Sequence, residues 1–215
     1  MNKRQFPVTD LYCITANQYS LGRSNEEIIS QMLAAGVQIV QYREKDFPMQ
    51  QKYRECLAIK ILCVKYEACF IVNDDVALAM AVEADGVHLG QDDLPVAKAR
   101  ELVGDKMLVG LSTHSPGQVD AAAKLDIDYI GVGPLYYTET KVGVCAPVGL
   151  EYLDYVVKNH HIPFVAIGGI KHGNVADVIM HGASCVALVT EIVGAADIGA
   201  MISNVRVEIS KAKAV

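Results

Sequence analysis

Eight short runs of apolar, largely β-branched residues recur along this chain, and each is followed by a stretch with helical spacing. That alternation is the strongest constraint on the fold. The runs cover 11–15, 37–41, 68–72, 86–89, 108–111, 129–132, 164–167 and 185–189. The helical stretches fall at 25–35, 49–66, 75–82, 94–102, 116–124, 150–159, 175–180 and 198–210. Near-continuous apolar strands imply a parallel sheet buried on both faces. Divided over 215 residues, the units average about 27 residues, the size of one repeat in an eight-fold barrel. The expectation is a single-domain (β/α)8 TIM barrel over residues 1–215. A doubly wound open sheet is the alternative, and it would need more polar edge strands than the chain offers.

Composition narrows the function classes. The formal charge of −6 gives no basic face for nucleic acid, although a local cluster of cations can still reverse the sign inside a cleft. No apolar stretch is long enough to span a bilayer, and no apolar run follows the basic residues near the N-terminus as in a signal peptide. None of the six cysteines forms a CxxC or sits at zinc-finger spacing from a histidine. Cys69 and Cys185 fall inside apolar runs and read as small hydrophobes. A reduced, cytoplasmic protein is expected. The sequence leaves open whether apolar outer helices such as 175–180 pack against a second copy as a homo-oligomer.

In a barrel of this kind the chemistry lies at the C-terminal ends of the strands. Those ends are polar here: Gln41 to Lys45, Asn73-Asp74-Asp75, Gly90 to Asp93, Ser112-Thr113-His114, Thr138 to Lys141, Gly168-Gly169 and Thr190. Asp74 and Asp93 end neighbouring strands, which run roughly 5 Å apart, so two hard carboxylates can share one cation. With no adjacent His or Cys, that donor set suits Mg²⁺. Asp75 and Asp92 compete for the same role, and either aspartate could instead cap the helix that follows. Arg43 and Lys45 alternate along an extended segment and are expected on one side, with Lys141 facing them across the mouth. Cations beside Mg²⁺ point to a pyrophosphate or phosphate ester. Gly168-Gly169 and the turn after the eighth strand would form a second phosphate cradle. His88 reads as a core or supporting residue, and His114 as either an acid–base group or a helix-entry residue.

These segments resemble one family. Gln41 to Lys45, Asn73-Asp74, Gly86 to Asp93, Ser112, Gly131 to Pro134 with Thr138 to Lys141, Ile167 to Ile170, and Val189-Thr190 follow the order of the thiamine phosphate synthases over most of the chain. The resemblance implies condensation of hydroxymethylpyrimidine pyrophosphate with a thiazole phosphate, giving thiamine phosphate and pyrophosphate through a pyrimidine cation. It implies that Gln41, Tyr42, Arg43, Glu44, Lys45, Asn73, Ser112 and Lys141 hold the pyrimidine pyrophosphate. Arg43, Lys45, Lys141 and Ser112 would act on the leaving group. Thr138, Glu139, Thr140, Gly169, Val189 and Thr190 would hold the thiazole phosphate, and Asp74 and Asp93 the Mg²⁺. The loop carrying Thr138 to Lys141 would close over the cation. The implied partners are small phosphorylated molecules, with no nucleic acid and no membrane.

Relatives more often carry an aliphatic residue at position 42, a basic one at 75 and Ser at 190, where this chain has Tyr42, Asp75 and Thr190. A tautomerase branch of the fold, which relies on a histidine and needs no paired aspartates, is one competing reading. A non-catalytic sensor of thiamine precursors is another.

Overall fold

The computed structural model describes residues 5–140 and 145–214. Its strands are β1 (Leu11–Ile14), β2 (Ile39–Tyr42), β3 (Cys69–Asn73), β4 (Gly86–Leu89), β5 (Leu108–Thr113), β6 (Tyr129–Val132), β7 (Phe164–Ile167) and β8 (Val186–Leu188). They close into a parallel barrel in chain order, β8 pairing back onto β1 through Leu11↔Val186 and Cys13↔Leu188. Around it run α1 (Asn25–Ala34), α2 (Met49–Lys65), α3 (Val76–Ala81), α4 (Val96–Val103), α5 (Pro116–Ala122), α6 (Gly149–Asn159), α7 (Val175–Met180), α8 (Thr190–Val193) and α9 (Ile198–Lys213). The single-domain (β/α)8 expectation holds. No helix among the described residues is long and apolar enough to cross a membrane.

Local chemistry accounts for the element ends. Ser24 and Glu27 form a reciprocal capping box at the start of α1, with Ser24 N–H donating to Glu27 Oε2 at 2.7 Å. Gly36 then turns the chain with φ 78°, and the Val37 amide bonds back to the Met32 carbonyl at 3.1 Å. That turn consumes Val37, so β2 begins at Ile39 and runs through Tyr42 rather than covering 37–41. β5 continues through Thr113, two residues past its apolar run. The four-residue α8 has no counterpart in the sequence reading, because a single helical turn is too short to show a period.

Strand alternation divides the core into two shells. Leu11, Cys13, Val40, Phe70, Val87 and Val109 face the helices. Tyr12, Ile14, Ile39, Cys69, Ile71, Leu108, Tyr129, Val165, Cys185 and Ala187 fill the barrel. The Tyr129 ring stacks on Phe6 with centroids 4.5 Å apart and is fully buried in the lumen. Its neighbour in register on β5 is Gly110. A Cβ there would lie 2.3 Å from Tyr129 Cζ and 2.5 Å from His88 Nδ1. The glycine is required by volume, not by a turn.

The N-terminal rim is held by ion pairs. Asp10, Asp85 and Asp128 each stand one residue before a strand. Arg206 of α9 donates to Asp10 at 3.0 Å, Lys60 of α2 to Asp85 at 2.9 Å, and Arg100 of α4 to Asp128 at 2.6 Å. Asp85 and Asp128 also accept the Phe70 and Val109 amides at 2.8 Å. Each carboxylate thus ties a strand to a helix, and those of Asp85 and Asp128 also tie it to the neighbouring strand.

Adding a methyl group at Gly110 should force Tyr129 or His88 off its position. Gly110→Ala is expected to lower stability by about 1–3 kcal/mol, read as a fall in the urea midpoint with unchanged slope. An unaltered midpoint would mean that the lumen has room the contacts do not indicate.

Candidate active site

The barrel's C-terminal mouth opens into a cleft of about 380 Å³, a volume typical of small-molecule sites. Its floor is apolar, formed by Ile14, Ile167 and Ala187 at inward-facing strand positions and by Val189 just past β8. Polar groups ring that floor: Arg43 after β2, Ser112 and His114 from β5, Thr138, Glu139 and Thr140 after β6, Lys171 after β7, and Thr190 after β8. A second cavity of about 240 Å³ is lined by Tyr42, Glu44, Lys45, Lys52, Asn73, Asp74 and Asp75. Consecutive residues Arg43 and Glu44 face one cavity each. Arg43 and Lys45, expected on one side, therefore line different cavities. β2 ends at Tyr42, and beyond it the backbone no longer alternates as a strand.

The carboxylates sort themselves by local geometry. Asp75 accepts the Leu78 amide at 2.8 Å and caps α3. Asp74, one residue earlier, is held at φ 60°, a conformation that costs a non-glycine residue roughly 1–3 kcal/mol and clusters at functional sites. Its amide donates to the His88 carbonyl at 2.8 Å. Its carboxylate pairs with Lys45 and lies against Asp93. Asp93 in turn accepts the Gly90 amide at 2.7 Å. Burial, and then the bond to and charge of Asp74, push the Asp93 carboxyl above the usual aspartate range; the Gly90 N–H and Lys45 act against them. Two acids forced together in this way gain from a shared cation. Among the described residues no cluster of three or more potential ligands occurs, so an ion here would complete its shell with substrate or water oxygens, as Mg²⁺ commonly does.

The loop after β6 is anchored against the end of β7 and the glycines that follow it. Leu135 N–H donates to Ile167 O and Tyr136 N–H to Gly168 O, both at 2.9 Å. Gly168 and Gly169 have φ of 99° and 66°, and a Cβ on Gly169 would lie 2.5 Å from Tyr137 O. These glycines let two loops pack backbone to backbone, a role the sequence reading did not give them. Within the loop Thr138 Oγ1 donates to Thr140 Oγ1 at 3.1 Å, and Tyr137 Oη donates to Glu139 at 2.7 Å. Lys141 lies outside the described residues.

Three residues grouped with the site by sequence are occupied in other ways. Tyr42 points outward from β2 and donates to Glu55 of α2 at 2.9 Å. Glu44 accepts the Asn17 amide at 3.0 Å and so holds the turn that brings Tyr19 to the cleft wall. Burial pushes its carboxyl up. Gln41 is buried below the cleft, its Nε2 donating to Tyr12 Oη at 2.7 Å.

Tyr19 and Lys171 went unnoticed in the sequence. Only the place of Lys171 two residues after Gly168-Gly169 could have drawn attention to it. His114 was weighed without a fixed role. Its Nδ1 lies 2.5 Å from the Gly133 carbonyl, an acceptor only, so that nitrogen carries a proton and the ring orientation is fixed.

Comparison with known proteins agrees with this geometry. The model of the thiamine monophosphate synthase (TMP-TENI) family matches residues 11–192. The thiamine-phosphate synthase of Pelotomaculum thermopropionicum is 61% identical over 202 residues, covering 94% of this chain and 93% of that protein. The thiamine-phosphate synthase of Lawsonia intracellularis is 54% identical over 197 residues, 92% of this chain and 91% of that one. Among solved structures, a thiamine phosphate pyrophosphorylase from Pyrococcus furiosus superposes with a TM-score of 0.86 at 31% identity, covering 94% of this chain and 96% of the other. The chain belongs to the thiamine monophosphate synthase family.

Proposed function

We propose that this chain is a thiamine phosphate synthase, joining hydroxymethylpyrimidine pyrophosphate to a thiazole phosphate with release of pyrophosphate. The observation that carries this reading is the pairing of two environments. One is an apolar-floored cleft ringed by Arg43, Ser112, Thr138, Thr140, Lys171 and Thr190; the other is the Asp74–Asp93 pair with Lys45 beside it. The names of the relatives support the same activity. The substrates are small and phosphorylated, and neither nucleic acid nor membrane is involved. Cytoplasmic residence fits substrates of this kind.

In this reading the bond from the pyrimidine methylene carbon to oxygen breaks, and its electron pair leaves with pyrophosphate. The aminopyrimidine delocalises the positive charge. The thiazole nitrogen then donates its lone pair to the methylene carbon, and the charge passes to the thiazolium ring. Such a route calls for positioning and charge stabilisation, with no covalent nucleophile. Arg43, Lys45, Asn73, Ser112 and Lys141 would hold the leaving pyrophosphate. The apolar floor of Ile14, Ile167 and Ala187 takes the heterocycles and excludes water. Thr138, Thr140, Gly169, Val189 and Thr190 hold the thiazole phosphate, with Lys171 as a further cation and Glu139 set back on Tyr137. Asp74 and Asp93 would hold Mg²⁺, which when bound would neutralise charge on the departing phosphates.

One observation favours a second reading. His114 lines the cleft with its ring oriented by the Gly133 carbonyl, and a proton-transferring isomerase of a thiazole carboxylate phosphate would need a histidine in such a place. The carboxylate pair has no task in that reaction.

Pyrophosphate release followed with both heterocycles, with and without Mg²⁺, decides between them. Release that requires the thiazole phosphate and Mg²⁺, with thiamine phosphate as product, is expected. Isomerisation without release would move the protein to the second reading. Binding of both ligands with neither reaction would make it a sensor.

Removing an oriented charge at the leaving group costs roughly 10²–10³ in turnover, so Arg43→Ala and Asp93→Ala should each lose that much while keeping the wild-type melting temperature. Near-normal kcat in either would remove its role. The raised Asp93 carboxyl must lose its proton to bind metal, so the Mg²⁺ concentration for half-maximal rate should climb as pH falls.

A lysine on a phosphate is worth roughly 1.5–3 kcal/mol. Lys171→Ala should therefore raise KM for the thiazole phosphate by about ten-fold or more and leave KM for the pyrimidine substrate alone. A change confined to the pyrimidine substrate would put Lys171 at the wrong end of the cleft.

A further inference from the structure

Beneath the cleft, a line of polar side chains crosses the barrel lumen. Gln41 Nε2 donates to Tyr12 Oη at 2.7 Å, and Tyr12 Oη lies 3.0 Å from Tyr129 Oη. Tyr129 Oη lies 3.0 Å from His88 Nδ1, and His88 Nε2 lies 3.0 Å from Ser112 Oγ. The line runs through strands β2, β1, β6, β4 and β5 and ends on a residue that lines the cleft. Gln41, Tyr12 and Tyr129 are buried, and burial holds both phenols well above their ordinary pKa. Each hydroxyl therefore keeps one proton to give.

A phenol that accepts at its oxygen from one neighbour gives its single proton to the other. The whole line then points one way or the other. If Gln41 donates, Tyr12 passes its proton to Tyr129, Tyr129 donates to His88 Nδ1, and His88 must carry its proton on Nε2. Ser112 Oγ then accepts from His88, and its own O–H is directed elsewhere. If the amide of Gln41 were turned over, every link would reverse and Ser112 would spend its proton on His88, offering only lone pairs to the cleft.

Two features select the first direction. The Gln41 amide presents Nε2 to Tyr12. The cleft that Ser112 lines is ringed by Arg43, Lys171 and threonine hydroxyls, a set suited to phosphate oxygens, which accept and do not donate. The ring of His88 is also gripped in place. A Cβ at Gly110 would stand 2.5 Å from its Nδ1, and one at Gly131 would stand 3.4 Å from its Cε1. The strands on that side are bare where the imidazole lies.

We infer that Gln41, Tyr12, Tyr129 and His88 are positioning residues that fix His88 as the Nε2–H tautomer and thereby make Ser112 a hydrogen-bond donor to the phosphorylated pyrimidine substrate. The identity of that substrate rests on the function proposed above; the direction of the line does not. Gln41 thus acts on Ser112 through three intervening side chains, whatever its remaining amide oxygen touches.

The test is nitrogen NMR of the histidine rings in the ligand-free protein, with His88 assigned by the loss of its signals in His88→Gln. The proposal requires a neutral ring protonated on Nε2. A ring protonated on Nδ1, or on both nitrogens, overturns it. Tyr129→Phe keeps the ring that fills the lumen and removes only the hydroxyl. It should release His88 into a mixture of tautomers and lower kcat/KM for the pyrimidine pyrophosphate about ten-fold, with KM for the thiazole phosphate unchanged. A purely structural role would lower the melting temperature and leave the tautomer as it was, and that result would also sink the proposal. Should Tyr129→Phe not fold, Tyr12→Phe answers the same question, because it cuts the line one link earlier and should also mix the tautomers. A wild-type protein that forms no thiamine phosphate, yet shows the Nε2–H ring, would refute the proposed reaction and leave the direction of the line standing.

Discussion

Closing eight short strands into a barrel creates a lumen that has to be filled, and in this protein Tyr129 fills much of it. One large ring at the centre dictates what its neighbours can be. Gly110 has no side chain because a Cβ would lie inside the Tyr129 ring, and Gly86 has none because a Cβ would stand 2.7 Å from Leu108 Cβ and 2.8 Å from Ile71 Cδ1. The choice of tyrosine over phenylalanine brings a second requirement. A phenol hydroxyl buried in an apolar lumen costs about 1–3 kcal/mol if left unpaired, so Tyr129 needs polar company. Tyr12 and His88 supply it, each 3.0 Å away. Packing at the centre of the barrel thereby determines the hydrogen bonding directly under the cleft.

The two ends of the barrel use charge in opposite ways. At the N-terminal rim Asp10, Asp85 and Asp128 are each matched by a cation from a helix, and two of them also accept an amide from the next strand. Charges satisfied in that manner hold elements together and have little left for a ligand. At the C-terminal rim the Asp74 and Asp93 carboxylates are pressed against one another, and Asp74 takes a left-handed backbone to get there. A fold gains nothing from such an arrangement on its own. The contrast separates residues that stabilise from residues suited to binding, and it does so without reference to any relative.

Much of this was legible in the sequence, and the misses have identifiable causes. Eight apolar runs at near-constant spacing specify the barrel, since each strand is buried on both faces and carries its signal in consecutive residues. The same reading placed Cys69 and Cys185 in the core, where both are found. Assigning a strand-end residue to the cleft is harder, because alternation continues only as far as the strand does. Tyr42 is the last residue of β2 and faces outward to Glu55; Arg43 follows and lines the cleft. The choice between Asp74 and Asp75 depended on which one capped α3, a matter of one residue that spacing does not resolve. Lys171 and Tyr19 lie on loops with no periodicity, and only the closed barrel brings them to the mouth.

The cleft is built from two kinds of support, and they suit different tasks. Ser112 and the floor residues Ile14, Ile167 and Ala187 sit on or directly beside strands, with the packed lumen beneath them. Groups held that way need little reorganisation when charge develops, which is where oriented dipoles are worth most. Thr138, Glu139 and Thr140 instead sit on a loop whose start is tied by backbone bonds from Leu135 and Tyr136 to Ile167 and Gly168 at the end of β7. In the proposed reaction, a bond-breaking step at a pyrophosphate benefits from the first kind of support, and capture of a second substrate is served by the second. The direction of the buried line from Gln41 to Ser112 belongs with the stiff half. It sets the polarity of a strand-end hydroxyl before any ligand arrives, through groups that the lumen already holds in place.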